Sequence, residues 1–323
     1  MILYAHDFTS LAYANFKAVI EEYNINITID EILERYNERH RYFHTPEHLN
    51  RIMRDINVLE ENHEVSADLH NRLVLVTLFH DIVYYPWKTD NELQSAKLFY
   101  RVFPKGIDDE LRRDVYSAIK ATANHANTSE LSEVFNKLDF GELKDPNHDD
   151  FHELIEYEHK IFKEYQFLPL EDYITHRVRF LQSIKADNKH ISQLINYVKN
   201  RHYNIGIYPG SFNPFHVGHM NILEKAEKLF DKVIIVKGVN PDKVKSDKQM
   251  DELNVQFMSL KEQLPDRETK FVEGNIITKL FANDPRNPVL IRGLRNGYDL
   301  TYEEFYLTFC KDYHPELRYT LIL

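Results

Sequence analysis

A strand, a tight turn and a helix are predicted in succession in the second half of the chain. Residues 204–208 form an apolar run, and residues 220–230 carry apolar side chains at helical spacing. Between them, residues 208–219 read Tyr-Pro-Gly-Ser-Phe-Asn-Pro-Phe-His-Val-Gly-His. A turn from a strand into a helix directs backbone N–H groups and the positive end of the helix dipole towards an anion. This segment therefore predicts an anion-binding site at the end of a strand.

Four residues of the turn contribute to that site. Gly210 and Gly218 allow the backbone to come close to a ligand, because glycine has no side chain. His216 and His219 add two ring donors at the same mouth. These parts suit the phosphates of a nucleotide. The alternative interpretation is that the two histidines cap the helix or bind water.

Further motifs follow the turn along the chain. They are Asn-Pro-Asp-Lys at 240–243, Ile-Arg-Gly-Leu-Arg at 291–295, Tyr-Asp-Leu-Thr-Tyr-Glu-Glu at 298–304 and His-Pro-Glu-Leu at 314–317. Together with the turn they resemble the nucleotidyltransferases that carry a His-x-Gly-His signature, and most of all the phosphopantetheine adenylyltransferases. The resemblance covers residues 203–323. It implies that ATP and 4′-phosphopantetheine react to give dephospho-coenzyme A and pyrophosphate.

The same resemblance implies roles for individual residues. Those implied in catalysis are His219, Lys243 and Arg292, and those implied in substrate and ATP binding are Ser211, Phe212, His216, Gly218, Arg295, Tyr302 and Glu303. Lys243 would neutralise the reacting phosphates and Arg292 would bind the β and γ phosphates. Mg²⁺ is expected on the triphosphate. The alternative is that Lys243 is a solvated surface lysine and that the two arginines form structural ion pairs.

Chains of this family continue past the last strand into a Ser-rich segment and a helix that help to bind ATP. Nothing in this sequence matches that segment, because the sequence stops at Leu323, on the predicted strand. We therefore expect weak ATP binding by residues 203–323 alone.

The two halves of the chain differ in their hydrophobic patterns. Residues 1–200 have helical spacing, and residues 69–85 are apolar nearly all round, which predicts a buried central helix. From residue 203 onward, short apolar runs alternate with helical patterns at 232–239, 269–272, 288–291 and 319–323. Continuous apolar strands indicate a parallel sheet covered on both faces. We predict an all-α domain, residues 1–200, and a Rossmann-like α/β domain, residues 203–323. The linker is placed at 187–190 or 201–202.

The amino-terminal half contains a second group of residues with a chemical signature. Thr45-Pro46 predicts the start of a helix, with His44 at its mouth and His48 one turn inside. His80-Asp81 falls within the predicted buried helix. A charged aspartate there is costly unless it is paired or bound to a metal. Imidazole and carboxylate together suit a divalent transition metal, whose bound water would attack a phosphate ester.

Three motifs of this half resemble a bacterial branch of the HD superfamily of metal-dependent phosphohydrolases. They are Tyr-Phe-His-Thr-Pro-Glu-His at 42–48, Leu-Phe-His-Asp-Ile-Val-Tyr at 78–84 and Asp-Asn-Glu-Leu-Gln-Ser-Ala at 90–96. The resemblance implies Mn²⁺ or Fe²⁺ bound by His44, His80, Asp81 and a later aspartate, for which Asp139 is the best match. The alternative is that these histidines are structural, since a chain with 17 histidines will match some spacings by accident.

The composition limits the kinds of partner and the cellular compartment that we expect. The net charge of −11 argues against a general nucleic-acid-binding surface. A single cysteine, Cys310, excludes an intramolecular disulfide framework. No signal peptide and no apolar run long enough for a bilayer is present in the sequence. We therefore expect a cytoplasmic protein without membrane or nucleic-acid partners, and leave homo-oligomerisation open.

Three alternative functions stay open at this point. The transferase half could use another phosphate acceptor, such as nicotinamide mononucleotide or a glycerol or sugar phosphate. Hydrolysis of a nucleotide or phosphate ester by the HD half could be the main activity. One half could instead be a nucleotide-sensing or assembly module that regulates the other.

Overall fold

The computed structural model describes residues 10–144, 151–184, 189–239, 246–282, 284–294 and 297–323. By its internal contacts the chain divides into two compact units. The amino-terminal unit comprises Met1–Glu164 and Phe180–Ile195, and the carboxyl-terminal unit comprises Tyr165–Arg179 and Asn196–Leu323. We had predicted a boundary between two domains near residue 200. The two units above are groups of residues in contact, so this boundary stays a prediction.

The first two-thirds of the chain is helical, as predicted. Its helices are α1 (Ser10–Glu22), α2 (Ile29–Tyr36), α3 (Pro46–Glu61), α4 (Ala67–Phe79), α5 (Asn91–Val102), α6 (Asp109–Ala121), α7 (Glu130–Asp139), α8 (Gly141–Lys144), α9 (Phe151–Glu164), α10 (Leu170–Ser183) and α11 (Lys189–Asn200). Local signals explain several of their starts. Thr28 and Glu31 form a capping box at α2, and Pro46 is the first residue of α3, as predicted.

The predicted central helix is shorter than its apolar pattern. Residues from Leu73 to Phe79 are all buried, but the helix ends at Phe79. The prediction that the His80-Asp81 pair lies inside the helix is therefore wrong. The reason is tertiary, because the side chain of Arg41 donates to the carbonyl oxygens of Asp81 and Ile82, at 2.8 and 3.2 Å. These carbonyls would otherwise accept helical hydrogen bonds.

The carboxyl-terminal unit contains a sheet of five parallel strands, as predicted. The strands are β1 (Ile205–Gly210), β2 (Lys232–Val239), β3 (Thr269–Glu273), β4 (Val289–Gly293) and β5 (Arg318–Ile322), in the order β3-β2-β1-β4-β5. The intervening helices are α12 (Val217–Ala226), α13 (Asp247–Gln263), α14 (Ile276–Leu280) and α15 (Gly297–Tyr313). This is a Rossmann-like arrangement.

Strand order determines where a ligand can bind. The sheet is built outward from β1, which pairs with β2 on one side and with β4 on the other. The point where the strand order reverses leaves a crevice at the carboxyl ends of β1 and β4, which is where open α/β sheets bind ligands. The glycine turn follows β1, and Arg292 lies near the end of β4.

Among the described residues, no helix combines the length and hydropathy needed to cross a bilayer.

Candidate functional site

The turn after β1 holds an unusual backbone conformation. Phe212 has a φ of 43°, in the left-handed region that non-glycine residues rarely occupy. A Cβ added to Gly210 would lie 2.7 Å from the ring of Phe212, so a larger residue at position 210 would displace that ring. Such strain costs on the order of 1–3 kcal/mol and persists where the surrounding structure imposes it. Phe212 is itself buried and packs between Tyr208 and Phe215.

His216 and His219 cap the first turn of α12. The backbone N–H of Gly218 donates to His216 Nδ1 at 3.1 Å, and the backbone N–H of His216 donates to His219 Nδ1 at 3.2 Å. The two rings stack with their centroids 3.7 Å apart. A neutral His219 whose Nδ1 accepts a hydrogen bond carries its proton on Nε2. The capping role that we raised as an alternative is thus present.

Arg292 reaches the same mouth from the neighbouring strand. Its Nη1 donates to the carbonyl oxygen of Pro209, the residue before the glycine turn, at 3.4 Å. Its Nε and Nη2 donate to the two carboxylate oxygens of the buried Glu303, at 2.6 and 2.7 Å. Burial lowers the pKa of Arg292, but the Glu303 carboxylate outweighs it and the pKa is raised. The predicted ion-pair alternative is therefore observed for Arg292, and its partner is another predicted site residue.

A buried lysine that the sequence analysis missed supports the turn. Lys237, near the end of β2, is 2% exposed and donates from Nζ to the backbone oxygen of Ser211 at 2.6 Å. It also donates to Gln256 Oε1 at 3.1 Å. Burial lowers the pKa of Lys237. The available signal was a lysine inside the apolar run Val-Ile-Ile-Val-Lys-Gly-Val.

The remaining predicted residues of this site are placed as follows. Ser211 is exposed on the turn, Gly218 is exposed at the start of α12, and Tyr302 is exposed on α15, next to Glu303. Lys243 and Arg295 lie outside the described residues.

A cluster of histidines and aspartates lies inside the amino-terminal unit. His80 Nε2 is 3.0 Å from Asp81 Oδ2 and 3.7 Å from Asp139 Oδ1. His44 Nε2 is 3.7 Å from Asp81 Oδ2, and His48 Nε2 is 3.2 Å from Asp139 Oδ1. All four predicted metal ligands therefore meet in one place, together with His48, and we call these five residues the His/Asp cluster.

His48 was missed as a member of the cluster. One ligand atom from each of His48, His80 and Asp139 can be chosen so that all three lie within 4.8 Å of one another, close enough to share one ion. The spacing of four between His44 and His48 was the available signal, but the resemblance pointed to His44 alone. The four-residue spacing could not decide between the two, because His44 precedes the helix and His48 lies within it.

The charges of the cluster follow from its burial and composition. Burial raises the pKa values of Asp81 and Asp139, but the surrounding histidines outweigh it and hold both well below the usual range. Burial lowers the pKa of His48 to about 4. Burial also opposes protonation of His80, but Asp81 and Asp139 raise its pKa to about 9. The group therefore combines two ionised carboxylates with imidazoles, a donor set that suits a divalent transition metal.

Two nitrogens of the cluster fit the role of metal ligands. The Nε2 atoms of His48 and His80 are buried and, within the described parts of the chain, make no hydrogen bond of adequate geometry. His80 Nδ1 lies 2.9 Å from the carbonyl oxygen of Thr77 and donates its hydrogen to it, so a metal that displaces the Nε2 proton would bind His80 through Nε2. A metal-binding histidine commonly has its other ring nitrogen bonded in this way. The residues present therefore fit a metal.

A buried glutamate orients His44. The carboxylate of Glu164, the last residue of α9, is 2.6 Å from His44 Nδ1. It also accepts from the backbone N–H groups of Tyr42, Phe43 and His44, at 2.7, 2.7 and 3.0 Å, and from the Tyr84 hydroxyl at 2.8 Å. Burial raises the pKa of Glu164, but His44 and these donors outweigh it, so the pKa is lowered to about 2. Glu164 is thus ionised and turns His44 Nε2 towards Asp81.

Two arginines hold the backbone of the cluster. Arg41 donates to the carbonyl oxygens of His44 and Asp81, at 3.3 and 2.8 Å, which ties the loop before α3 to the segment after α4. Arg51 donates to the carbonyl oxygen of Asp139 at 3.1 Å, at the end of α7. Nearby, burial and the charge of Asp81 raise the pKa of Glu92. No pattern in the sequence had indicated Glu164, Arg41 or Arg51.

The strand order, the strained turn and the histidine-capped helix are features of a nucleotidyltransferase with a Rossmann-like fold. Residues 207–309 match the family described as "Cytidylyltransferase-like". This match covers the glycine turn and extends into α15, which is the part of the chain where the site residues lie.

Individual relatives narrow the class. The chain is 40% identical over 116 residues to "Phosphopantetheine adenylyltransferase" of Mycoplasma capricolum, which is 35% of this chain and 79% of that protein. It is 37% identical over 117 residues to the protein of the same name from Mycoplasma mycoides, which is 34% of this chain and 78% of the relative. It is 32% identical over 114 residues to the protein of the same name from Clostridium tetani, which is 35% of this chain and 69% of the relative. Through its carboxyl-terminal unit the chain belongs to the phosphopantetheine adenylyltransferase family.

Proposed function

We propose that the carboxyl-terminal unit transfers the adenylyl group of ATP to 4′-phosphopantetheine, releasing pyrophosphate and forming dephospho-coenzyme A. The observation that carries the proposal is the meeting of the histidine-capped α12 with Arg292 at the crevice between β1 and β4. The relatives named phosphopantetheine adenylyltransferase match this unit, which supports both the reaction and the acceptor.

The reaction needs no covalent enzyme intermediate. An oxygen of the acceptor phosphate attacks the α-phosphorus of ATP in line, and the bond from that phosphorus to the bridging oxygen of pyrophosphate breaks. Catalysis then consists of positioning and of neutralising charge on the transferring group. We assign the donor at the α-phosphate to His219 Nε2–H and the binding of the outer phosphates to Arg292. The exposed Ser211 contacts the acceptor phosphate, while His216 holds the helix N-terminus in place.

Arg292 can serve this role only if its charge is not fully engaged by Glu303. The ion pair uses Nε and Nη2, whereas Nη1 makes only the long contact to Pro209. Nη1 therefore points at the turn and can donate to a phosphate oxygen while the pair is kept. Lys243 and Arg295 complete the proposed set of cations.

Pyrophosphate release from Mg·ATP tests the proposal. The purified chain is assayed with 4′-phosphopantetheine, nicotinamide mononucleotide, glycerol phosphate and a sugar phosphate as acceptors, and the product is identified by mass. We expect release with 4′-phosphopantetheine alone. Release only with another acceptor would contradict the assigned substrate, and no release with any acceptor would favour a sensing or assembly role.

We propose a second activity, metal-dependent hydrolysis of a phosphate ester, for the amino-terminal unit. The observation that favours it is the His/Asp cluster, whose buried nitrogens and ionised carboxylates fit a divalent transition metal such as Mn²⁺ or Fe²⁺. Such an ion would supply a water of lowered pKa as the nucleophile. His44, His48, His80, Asp81 and Asp139 would hold the metal, and Glu164 would keep His44 in the required tautomer.

Metal content and hydrolysis are measured separately from adenylyl transfer. The chain is loaded with Mn²⁺ or Fe²⁺, its metal is quantified by elemental analysis, and phosphate release is followed with a panel of nucleotides and phosphomonoesters. The Lys120→Gln variant, changed at an exposed residue of α6, serves as the control. We expect an Asp81→Asn variant to bind less metal than the control protein. Equal metal content in the two proteins would mean that the cluster is only structural.

A further inference from the structure

A cavity of about 520 Å³ in the amino-terminal unit carries an excess of positive charge. Four of its lining side chains are cationic, Arg35, Lys88, Lys97 and Arg101, and a single one, Asp90, is acidic. No member of the His/Asp cluster lines it. The volume lies within the range of about 300–1,000 Å³ typical of small-molecule sites.

The cationic lining comes mainly from one face of α5. Gln94, Lys97 and Arg101 are spaced by three and four residues, so they lie on one side of the helix. Lys97 and Arg101 stand four residues apart with the same charge, an arrangement that destabilises a helix unless an anion compensates it. The pairing of like charges is therefore a cost for folding that a bound anion would relieve.

The described residues around these cations leave most of their charge unpaired. Within the described residues, none of the four forms an ion pair with a carboxylate, although the whole chain has a net charge of −11. Asp90 Oδ2 accepts from Gln94 Nε2 at 2.8 Å, and Lys88 Nζ lies 4.8 Å from the centre of the Tyr85 ring. Arg35 is the least isolated, since its charge contributes to lowering the pKa of Glu31.

Hydrogen bonds tie the segment that precedes α5 to the first turns of that helix. The buried Asn91 accepts from the backbone N–H of Tyr85 at 3.0 Å and donates to its carbonyl oxygen at 2.9 Å. Ser95 Oγ makes the same pair of contacts with Val83, at 3.0 and 3.2 Å. Both residues belong to the predicted 90–96 motif, whose role in the fold is thereby explained. The cavity is thus formed by the folded unit before any ligand arrives.

We propose that this cavity binds an anion with two or more linked phosphates, either inorganic pyrophosphate or the polyphosphate of a nucleotide. Lysine and arginine bind phosphate oxygens through charge-assisted hydrogen bonds, and several cations around one cavity select a multiply charged ligand. The site is separate from the His/Asp cluster and does not depend on either proposed activity.

The single tryptophan of the chain reports on this site. Trp87 is the one Trp in the sequence, and its ring lies 5.5 Å from that of Tyr85, which lines the cavity. The full chain, in excess chelator to keep the His/Asp cluster free of metal, is titrated with pyrophosphate and with ATP. Emission is excited at the red edge of the tryptophan band, where adenine does not absorb.

We expect a saturable change in Trp87 emission, with a midpoint raised at least tenfold in the Lys97→Gln, Arg101→Gln double variant. The Lys105→Gln, Lys120→Gln variant removes the same charge from exposed residues outside the cavity and should leave the midpoint unchanged. A response to pyrophosphate alone identifies the inorganic ion as the ligand, and a response to ATP alone identifies the nucleotide. No saturable response to either, or equal weakening by both double variants, overturns the proposal. Circular dichroism of each variant checks that it is folded. The Arg101→Gln single variant serves as a milder test if the double variant does not fold.

Discussion

The two candidate sites of this chain are assembled in opposite ways. In the carboxyl-terminal unit, His216 and His219 belong to one helical turn, and Arg292 comes from the strand next to the one that precedes the turn. In the amino-terminal unit, the cluster draws on the loop before α3, on α3 itself, on the residues after α4 and on the end of α7. One site is an open mouth made by local structure, and the other is a buried group made by packing.

This difference predicts how each site responds to change. Under the proposed function a side chain at the open mouth contacts substrate directly, so its loss should lower the rate and leave the fold intact. A residue of the buried cluster balances several charges, so its loss should affect metal affinity and stability together. Changes in residues that hold the cluster in place should matter almost as much as changes in the cluster itself.

The largest effect is expected for Asp139→Asn. This change removes one carboxylate from a buried group that contains His48 and His80. Loss of a carboxylate that binds the metal directly should weaken metal binding by more than the roughly 10–100-fold that is typical for residues that only orient a ligand. Metal titration followed by elemental analysis measures it, while adenylyl transfer by the same variant should be unaffected. If this variant bound metal with wild-type affinity, Asp139 would not be a metal ligand.

His219→Ala should lower kcat of adenylyl transfer by about 10²–10³, the usual cost of losing one donor to the transition state. The exposed His202→Ala variant is the matched control and should retain the wild-type kcat. Steady-state pyrophosphate release measures both. An unchanged kcat for His219→Ala would confine this residue to capping α12.

Glu164→Gln should weaken metal binding by about 10–100-fold, as is typical for residues that orient a metal ligand. The amide keeps an oxygen for the backbone N–H groups of Tyr42 and Phe43 but loses the charge opposite His44. Metal affinity is compared with that of the Glu153→Gln variant, changed at an exposed position of α9. Equal affinities would show that the carboxylate only holds the loop.

Lys237→Met should give the smallest effect, a fall of about 10-fold in kcat/KM for the acceptor (about 1.4 kcal/mol), because Lys237 acts on the turn through the backbone of Ser211. The change also removes hydrogen bonds from a charged donor to Ser211 and Gln256, each typically worth about 1.5–3 kcal/mol of folding stability. Lys261→Met, at an exposed position of α13, is the control. A fall in kcat/KM larger than that of Lys261→Met indicates that Lys237 positions the turn, and unchanged kinetics with a lower free energy of unfolding in urea would confine Lys237 to a structural role.

Local features of the sequence predicted the fold well. All five strands occur where apolar runs had predicted them, with ends that differ by no more than two residues, and the sheet is parallel. Periodicity and caps are properties of neighbouring residues, so they are legible without knowledge of the rest of the chain. The exception is the end of α4, where an apolar pattern continues past Phe79 but the helix does not.

Contacts between distant positions were not predictable in the same way. His48 and Glu164 reach the cluster through the packing of α3 and α9, and Lys237 reaches Ser211 from the adjacent strand. A histidine, a glutamate and a lysine are common residue types, and nothing in their local spacing distinguishes these three from others in the chain.

The sequence alone determined the helical first half, the order of the five strands along the chain, the turn after β1 and the placement of His216 and His219 together, because each depends on residues a few positions apart. Only the tertiary structure decided that α4 stops before His80, that Arg292 pairs with Glu303, and that five buried side chains share one site. These outcomes depend on distances between elements far apart in sequence. Such distances are set by the packing of whole helices and by the order of the strands, to which every part of the folded unit contributes.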